Sequence, residues 1–259
     1  MARIAPLTRT SNPAWSRLAR AEAARGEAAF TIAGATGKTL LLLAVLSLSA
    51  AYTWHMVDTV GLPRTQPIAL GAMLAAVIVA LIAIFRPQTA PWTAPLYAVL
   101  EGTAIGFVSA LYSSSGFTFK GVHGYPGIVP QAAGLTLAAV GAMLLLYRTG
   151  IVRPTKRFRG AVIGATGAIA VYYLISIGAS FFGFAMPLIH DNGWAGIGFS
   201  LVVIAIAAAN LILDFAQFEQ AAEQRVQARY EWFAAFGIML TIVWLYLEML
   251  RLLAKLRRR

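Results

Sequence analysis

The stretch that decides the fold is AGIGFSLVVIAIAAANLILDFAQF, Ala195–Phe218, an apolar run with one carboxylate near its end. Its uncharged part is long enough to cross a hydrocarbon core of ~30 Å, which takes about 20 helical residues. Asp214 therefore lies inside or at the edge of a membrane-spanning helix, where a charge costs roughly 2.5–3.5 kcal/mol on insertion scales. A carboxylate persists there when it is paired, protonated or in contact with water, so Asp214 is the first candidate for a functional residue.

Six further runs of the same kind give the chain seven predicted spans. The 259 residues are 59% hydrophobic and only 12% charged, with a mean hydropathy of +0.72, whereas a soluble domain carries about 25% charged residues. Every backbone amide inside lipid must be paired within its own segment, so the runs are helices. The predicted spans are Lys38–Met56, Gln66–Phe85, Trp92–Tyr112, Val129–Tyr147, Ala161–Ala185, Ala195–Phe215 and Tyr230–Leu253.

The predicted fold class is therefore all-α, a polytopic bundle of seven transmembrane helices. We expect the membrane domain to occupy residues 37–254, between a basic N-terminal tail (1–36) and a short basic C-terminal tail (255–259). The arginines of the N-terminal tail either meet anionic lipid headgroups or only set the orientation of the chain.

Lysine and arginine are distributed unevenly between the two ends of the predicted helices. With the N-terminus inside, the inner side carries fourteen of them, and the outer loops carry only Arg64 and Lys120. This bias predicts a cytoplasmic N-terminus and a multi-pass protein of the cell inner membrane. Seven spans place the basic C-terminal tail outside, against the rule. Either six earlier helices override its charges, or the last segment does not cross fully.

The sequence carries no signature of an enzyme. His55, His123 and His190 lie at or beyond helix ends and form no i, i+4 pair of the kind that an intramembrane zinc site uses. GATGKT (Gly34–Thr39) lacks the first glycine of a phosphate loop and leads directly into a membrane helix. The net charge of +11 belongs mostly to the tails and the loop between helices four and five. We expect no enzyme activity, no resident cofactor and no nucleic-acid partner.

Several polar side chains lie inside the predicted spans. Asn210, Asp214 and Gln217 follow an i, i+4, i+7 spacing, so they form one stripe on helix six. Neither Asp214 nor Glu101, in helix three, has a basic residue three or four positions away on its own helix. Any charged partner must come from another helix, and Arg86, at the inner end of helix two, is the best candidate by depth.

Helix seven carries two further carboxylates. Glu231, at its start, is either a first-turn residue stabilised by the helix dipole or part of a functional site. Glu248, near the far end, either pairs with Arg251 at the membrane interface or contributes to an ion pathway.

Five segments together resemble the Bax inhibitor-1 family, and a bacterial branch most closely. They are NPAW (Asn12–Trp15), TGKTLLLLA (Thr36–Ala44), APLYAVLEGTAIGFVS (Ala94–Ser109), NLILDF (Asn210–Phe215) and YEWFAAFGIMLTIVWLYLEMLRLL (Tyr230–Leu253). The resemblance covers nearly the whole chain. It implies a seven-helix membrane protein that acts as a pH-sensitive calcium leak, with Ca²⁺ as the transported ion. Two membrane aspartates, on helices six and seven, then share a proton and gate the pore, helped by an arginine on helix two.

The resemblance assigns roles to only some residues of this chain. Asp214 matches the helix-six aspartate and Arg86 the helix-two arginine. The helix-seven aspartate has no counterpart, because its place falls between Gly237 and Thr241, all uncharged. Glu231, about two turns earlier on the same face, is the expected replacement, and with Asp214 it forms a predicted weak Ca²⁺ site. The alternative interpretation is that this branch has no second carboxylate and therefore lacks the two-carboxylate gate.

Two functions from different classes follow. The first is a pH-sensitive cation leak whose ion pathway contains Asp214, Glu231, Glu101, Arg86 and Asn210, with smaller roles for Glu248 and Gln217. The second is a non-conducting regulatory module, whose carboxylates only fix helix register and which binds another membrane protein, such as a protease. A secondary transporter is disfavoured, because no internal repeat is visible.

Overall fold

The fold is a bundle of seven long helices. The computed structural model describes residues 28–114, 118–119, 122–123, 125–182 and 193–257. Within them each of the seven helices is long and apolar enough to cross a membrane, so the predicted all-α, seven-helix class is confirmed. The helices are α1 (Ile32–Val60), α2 (Leu62–Phe85), α3 (Ala90–Ser113), α4 (Ile128–Arg148), α5 (Lys156–Phe181), α6 (Trp194–Glu223) and α7 (Glu231–Arg257).

Short connections join most of the helices. Gly61 separates α1 from α2 with a φ of 86°, a conformation that glycine adopts without steric penalty. A 3₁₀ turn, Pro87–Thr89, joins α2 to α3, and a second, Ala228–Tyr230, leads into α7. Between α3 and α4 lies a two-stranded hairpin, β1 (Thr118–Phe119) antiparallel to β2 (Val122–His123).

The first and last helices extend beyond the predicted membrane domain. Thr31 caps α1 by accepting a 3.0 Å hydrogen bond from the Gly34 amide, so the helix begins at Ile32, before the apolar run. At the other end α7 continues to Arg257, so residues 255–257 are helical and not part of a separate tail. Residues 1–27 lie outside the described part of the chain, as do the predicted contacts of their arginines with lipid.

The central helix of the bundle is α7. It packs against α1, α3, α4 and α6 and has buried residues along most of its length. One apolar cluster joins it to α1, α2 and α3 and contains Leu42 and Phe236. Another joins it to α4 and α6 and contains Leu211 and Leu245. Glu231 and Glu248, two carboxylates of α7, are therefore held on the buried central helix of the bundle.

Helices α1 and α3 approach each other through glycine. A Cβ atom on Gly102 would lie 2.4 Å from the Leu46 carbonyl oxygen, and one on Gly106 would lie 2.2 Å from the Ala50 carbonyl oxygen. Small residues allow such close backbone approach between membrane helices, where lipid supplies no hydrophobic driving force for association. The contact fixes α1 against the helix that carries Glu101.

Helix α5 lies at the edge of the bundle and packs mainly on α6. Its buried side chains in the described region are Val162, Ile169 and Ser176, which recur every seven residues and form one narrow stripe. The other residues from Lys156 to Ser180 are half-buried or exposed, as expected of a surface that meets lipid.

The segment before α1 is attached to the loop before α7. The Phe30 amide donates to the Val226 carbonyl over 2.6 Å, and the Ala228 amide donates to the Ala28 carbonyl over 2.8 Å. Ala29 and Gln227 form the antiparallel bridge between these bonds. We call residues 28–31 the N-terminal strap.

Candidate ion-handling site

Asp214 forms a direct hydrogen bond between α6 and α7. The Thr241 hydroxyl donates to its Oδ2 atom over 2.7 Å, while also lying 3.2 Å from the Gly237 carbonyl oxygen of its own helix. The carboxylate is half-buried. Asp214 thus points toward the central helix, as expected for a charge that avoids lipid.

A cavity of about 200 Å³ lies beside the Asp214 carboxylate, between the ends of α2, α6 and α7. Its lining includes Gln217 and the apolar side chains of Ile84, Phe218 and Phe236. The space is large enough for several waters, and Asp214 and Gln217 supply polar partners for them. Asp214 and Gln217 of the predicted stripe therefore line one space.

Asn210, the third residue of that stripe, has a different partner. Its Nδ2 atom donates to the Thr166 hydroxyl of α5 over 2.8 Å and to the Ile206 carbonyl over 2.9 Å. Asn210 therefore joins α6 to α5, whereas Asp214 joins α6 to α7.

Arg86 is not the partner of Asp214. It caps the end of α2 and is exposed, and no ion pair links it to Asp214 among the described residues. The expected pairing is wrong because the helix already ends at Phe85, which leaves the arginine outside the cavity that Ile84 of the same helix enters.

Glu231 binds α1 and not Asp214. It is buried, and it accepts hydrogen bonds from the Thr31 amide at 2.7 Å and the Thr31 hydroxyl at 3.0 Å. The Lys38 ammonium group completes the contact as an ion pair. Thr241, the partner of Asp214, lies ten residues further along α7, about 15 Å by helical rise.

That separation corrects two predictions. Glu231 does not replace the missing helix-seven aspartate, and Glu231 and Asp214 do not form one Ca²⁺ site, because Glu231 lies about 15 Å along α7 from Thr241, the residue that Asp214 contacts. Within the described residues no group of three histidine, aspartate or glutamate side chains is placed to hold a metal. Thr241 instead lies against Asp214, in the interval where the family resemblance expects the second aspartate.

Glu248 lies in a second polar cluster, in the half of the bundle where α7 ends. Its Oε1 atom accepts hydrogen bonds from Arg251 at 2.5 Å and from the Tyr173 hydroxyl of α5 at 2.5 Å. Arg251 also donates to the Tyr173 hydroxyl over 2.6 Å. The structure thus shows the predicted pairing of Glu248 with Arg251, but in the interior, since Glu248 is only 1% exposed.

Glu101 lies on α3, away from the other carboxylates. It is half-buried and interacts with Tyr97 one turn earlier on the same helix. The Tyr97 ring in turn packs edge-on against Phe236 of α7, with 5.1 Å between the ring centroids. The structure does not bring Glu101 into contact with Asp214.

Lys255 is a buried cation that the sequence analysis assigned to the tail. It is 3% exposed, and its ammonium group donates to the Gly196 carbonyl over 2.8 Å and to the Ser200 hydroxyl over 3.0 Å. Both acceptors belong to the first turns of α6. The periodicity of α7, continued for one more turn past Arg251, is the sequence signal that locates Lys255 on the buried face.

The fold and this site together define a multi-pass membrane protein with an acidic side chain held between α6 and the central helix α7. A family model described as Bax inhibitor 1 like matches residues 12–258. The chain belongs to that family. No match was found among curated proteins.

Proposed function

We propose that the protein is a pH-sensitive cation leak of the cell inner membrane, with its N-terminus in the cytoplasm and Ca²⁺ among the transported ions. The observation that carries the proposal is the Asp214 carboxylate, which lines a cavity together with Gln217 and has a hydroxyl, not a basic side chain, as its partner. An anionic group beside a cavity attracts cations, and among the described residues no ion pair to Asp214 opposes that attraction.

The gate in this proposal is the contact between α6 and α7. Beyond the Asp214–Thr241 hydrogen bond, Leu211 and Leu245 are fully buried and belong to one apolar cluster. These leucines lie between the Asp214–Thr241 contact and Glu248. Glu248 follows Thr241 on α7 by seven residues, or two helical turns, on the same face. A cation that reaches Asp214 therefore meets a dry constriction, and conduction requires α6 and α7 to separate there.

Protonation of Asp214 supplies the pH dependence. The neutral acid no longer attracts cations or the water that accompanies them. The ionised carboxylate draws cations and water into the cavity, which favours separation of the two helices. We therefore expect cation flux to rise with pH as Asp214 ionises. With one carboxylate and few other oxygens, the site binds Ca²⁺ weakly, which suits a leak.

A second candidate function rests on Glu231 and Glu248. Both are buried and bonded to neighbouring helices through ion pairs, which is how a polar residue fixes helix register. A bundle whose carboxylates only hold helices together serves as a non-conducting regulatory module that binds another membrane protein, such as a protease.

The experiment that separates the two functions is a Ca²⁺ flux assay in liposomes that contain only this protein, run from pH 5 to 8, the range in which a titrating switch is physiologically useful. The leak predicts flux that rises with pH, and it predicts that Asp214→Asn, which keeps the shape and removes the charge, abolishes the rise. The matched control is Glu219→Gln, which removes a carboxylate from an exposed position on the same helix. The leak proposal fails if the parent shows no flux, or if Asp214→Asn keeps the parent's flux at every pH.

A further inference from the structure

A second space, a groove of about 360 Å³, lies between α1, α3, α4 and α7, and it shares no lining residue with the Asp214 cavity. Its walls are almost entirely apolar and include Leu46 and Ala50 of α1, Ile105 of α3, Ala133 of α4 and Ile242 of α7. The volume lies in the range typical of small-molecule sites, ~300–1,000 Å³.

Three of the four hydroxyl groups that line the groove, all but that of Ser47 at its opening, already have partners. Ser109 and Tyr246 bond to each other across α3 and α7 over 2.7 Å, and Thr136 donates to the Ala132 carbonyl over 2.8 Å. Because these groups are satisfied, a polar occupant would gain few hydrogen bonds from the floor of the groove and would lose its hydration. The walls therefore select an apolar occupant.

The groove is open at the surface between α1 and α4. Leu137 of α4 lines it and is 66% exposed, and Ser47 of α1 lines it and is exposed as well. In a bilayer this opening faces the acyl chains. An occupant can thus enter sideways from the lipid.

The dimensions of the groove fit one leaflet. Its lining runs along α1 from Leu43 to Trp54, eleven residues or about 16 Å by helical rise. Half of a hydrocarbon core of ~30 Å is about 15 Å. The groove therefore extends from the middle of the bilayer to the interface at the end of the bundle where α1 ends.

Trp54 stands at the interfacial end of the groove. It is half-buried, and its indole N–H donates no hydrogen bond within the described residues. Tryptophan favours the level of the lipid headgroups, where the ring meets hydrocarbon and the N–H meets polar groups. A lipid ester carbonyl at this level is a suitable acceptor for it.

We propose that this groove binds one acyl chain of a membrane phospholipid, with the ester carbonyl of that chain accepting a hydrogen bond from Trp54. The lipid fills the gap between α1 and α4 and packs against α7 at Ile242, next to Thr241. The proposal stands whether or not the protein conducts cations, because it rests on the shape and chemistry of a different region.

The test uses the full-length chain in phosphatidylethanolamine vesicles that contain a fraction of phosphatidylethanolamine with a diazirine on one acyl chain. After illumination, mass spectrometry locates the crosslinks. We expect them to concentrate on the groove side chains of α1 and α4, and a retained phospholipid to be detected on the protein in mild detergent. Crosslinks spread evenly over the exposed face of α5 would overturn the proposal.

Two variants and a matched control sharpen the result. Ala133→Phe fills the groove, so crosslinking there falls by about tenfold or more, the equivalent of ~1.4 kcal/mol. Ala138→Phe puts the same ring on the exposed face of the same helix and leaves crosslinking in the groove unchanged. Trp54→Phe keeps the ring and removes the donor, which lowers the retained lipid even if Ala133→Phe does not fold. Equal crosslinking in Ala133→Phe and Ala138→Phe, or unchanged lipid retention in Trp54→Phe, would refute the site.

Discussion

The Thr241 hydroxyl donates a 2.7 Å hydrogen bond to the Asp214 carboxylate. It does so from the interval of α7 in which the Bax inhibitor-1 resemblance expects an aspartate. The two helices are joined at this level by one ionisable group and one hydroxyl, so a single proton decides the charge of the contact. The pair therefore titrates as one site, in contrast to a carboxylate dyad, which loses its protons in two coupled steps.

Restoring the second carboxylate is the direct test of this relationship. Thr241→Asp places two carboxylates at hydrogen-bond distance, where they share one proton because both do not ionise together in low dielectric. We expect the pH midpoint of cation flux to move to higher pH than in the parent. Flux across pH in liposomes measures it. Thr241→Val is the matched control, since it removes the donor without adding charge. An unchanged midpoint in Thr241→Asp argues against Asp214 as the gate.

The ion pair between Lys38 and Glu231 gives a prediction about stability. Lys38→Met leaves the buried Glu231 carboxylate without its counter-charge. Removing one partner of a buried pair costs ~3–5 kcal/mol, and since the Lys38 side chain is 25% exposed we expect about 2–3 kcal/mol. Thermal unfolding in detergent measures the loss.

The control for that variant is Lys156→Met, which removes an exposed lysine at the start of α5 and leaves the unfolding midpoint within error of the parent. Glu231→Gln should destabilise less than Lys38→Met, because the amide oxygen still accepts from Thr31. If Lys38→Met melts like the parent, the contact contributes nothing to the fold.

Close packing of α1 on α3 predicts that substitution of a glycine in this contact destabilises the protein, whereas substitution of a glycine elsewhere does not. Gly106→Ala places a Cβ 2.2 Å from the Ala50 carbonyl oxygen, so the two helices must separate, at a cost of about 1–3 kcal/mol. Gly141→Ala on α4 meets no heavy atom within 4 Å and gains helix propensity, roughly 0.8–1 kcal/mol in soluble hosts. Thermal unfolding of both variants compares them directly. Equal destabilisation by the two changes contradicts the packing described.

Helix α5 is held by polar contacts, which predicts that one hydroxyl controls its mobility. Tyr173→Phe removes the donor to Glu248 and an acceptor for Arg251, at a cost of about 1–2 kcal/mol. We expect faster amide hydrogen exchange in α5 than in the parent, with exchange in α3 unchanged. Tyr52→Phe, at an exposed tyrosine of α1, is the control. Unchanged exchange in α5 shows that apolar packing alone holds that helix.

The proposed orientation predicts where added thiols react. The chain has no cysteine, so Ala5→Cys and Ser114→Cys each introduce a single labelling site. Fourteen basic residues on one side against two on the other place position 5 in the cytoplasm and position 114 on the opposite face. A membrane-impermeant maleimide applied to intact cells then labels Ser114→Cys, and it labels Ala5→Cys only after lysis. Labelling of both from the same side rules out this topology.

The number and order of the helices were predictable because the signal is local. Each span is an apolar run with its own length, and lipid forces each run to be helical. The bounds were less predictable. Polar residues such as Thr31 and Lys255 extend α1 and α7 past their apolar runs, since one caps a helix and the other binds the first turns of α6.

The candidate site was predictable only in part, because its partners come from distant positions. The cost of a charge in lipid identified Asp214 without any knowledge of its neighbours. No local pattern links Lys38 to Glu231, which are 193 residues apart, and helical periodicity placed Glu231 and the missing aspartate on one face without fixing their depth. The predicted pairing of Arg86 with Asp214 was wrong for the same reason, since approximate depth does not determine whether a side chain enters the bundle.

The N-terminal strap sets the order in which the molecule can be completed. Its bonds run from residues 28–31 to the loop before α7 and to Glu231, a separation of 200 residues between Thr31 and Glu231. At a synthesis rate of about 5–20 residues per second, α1 exists for roughly 10–40 s before its partner is made. During that interval the ammonium group of Lys38 lacks its final partner, the Glu231 carboxylate. The first helix to enter the membrane is thus among the last to acquire its final contacts, and closure of the strap marks the end of assembly.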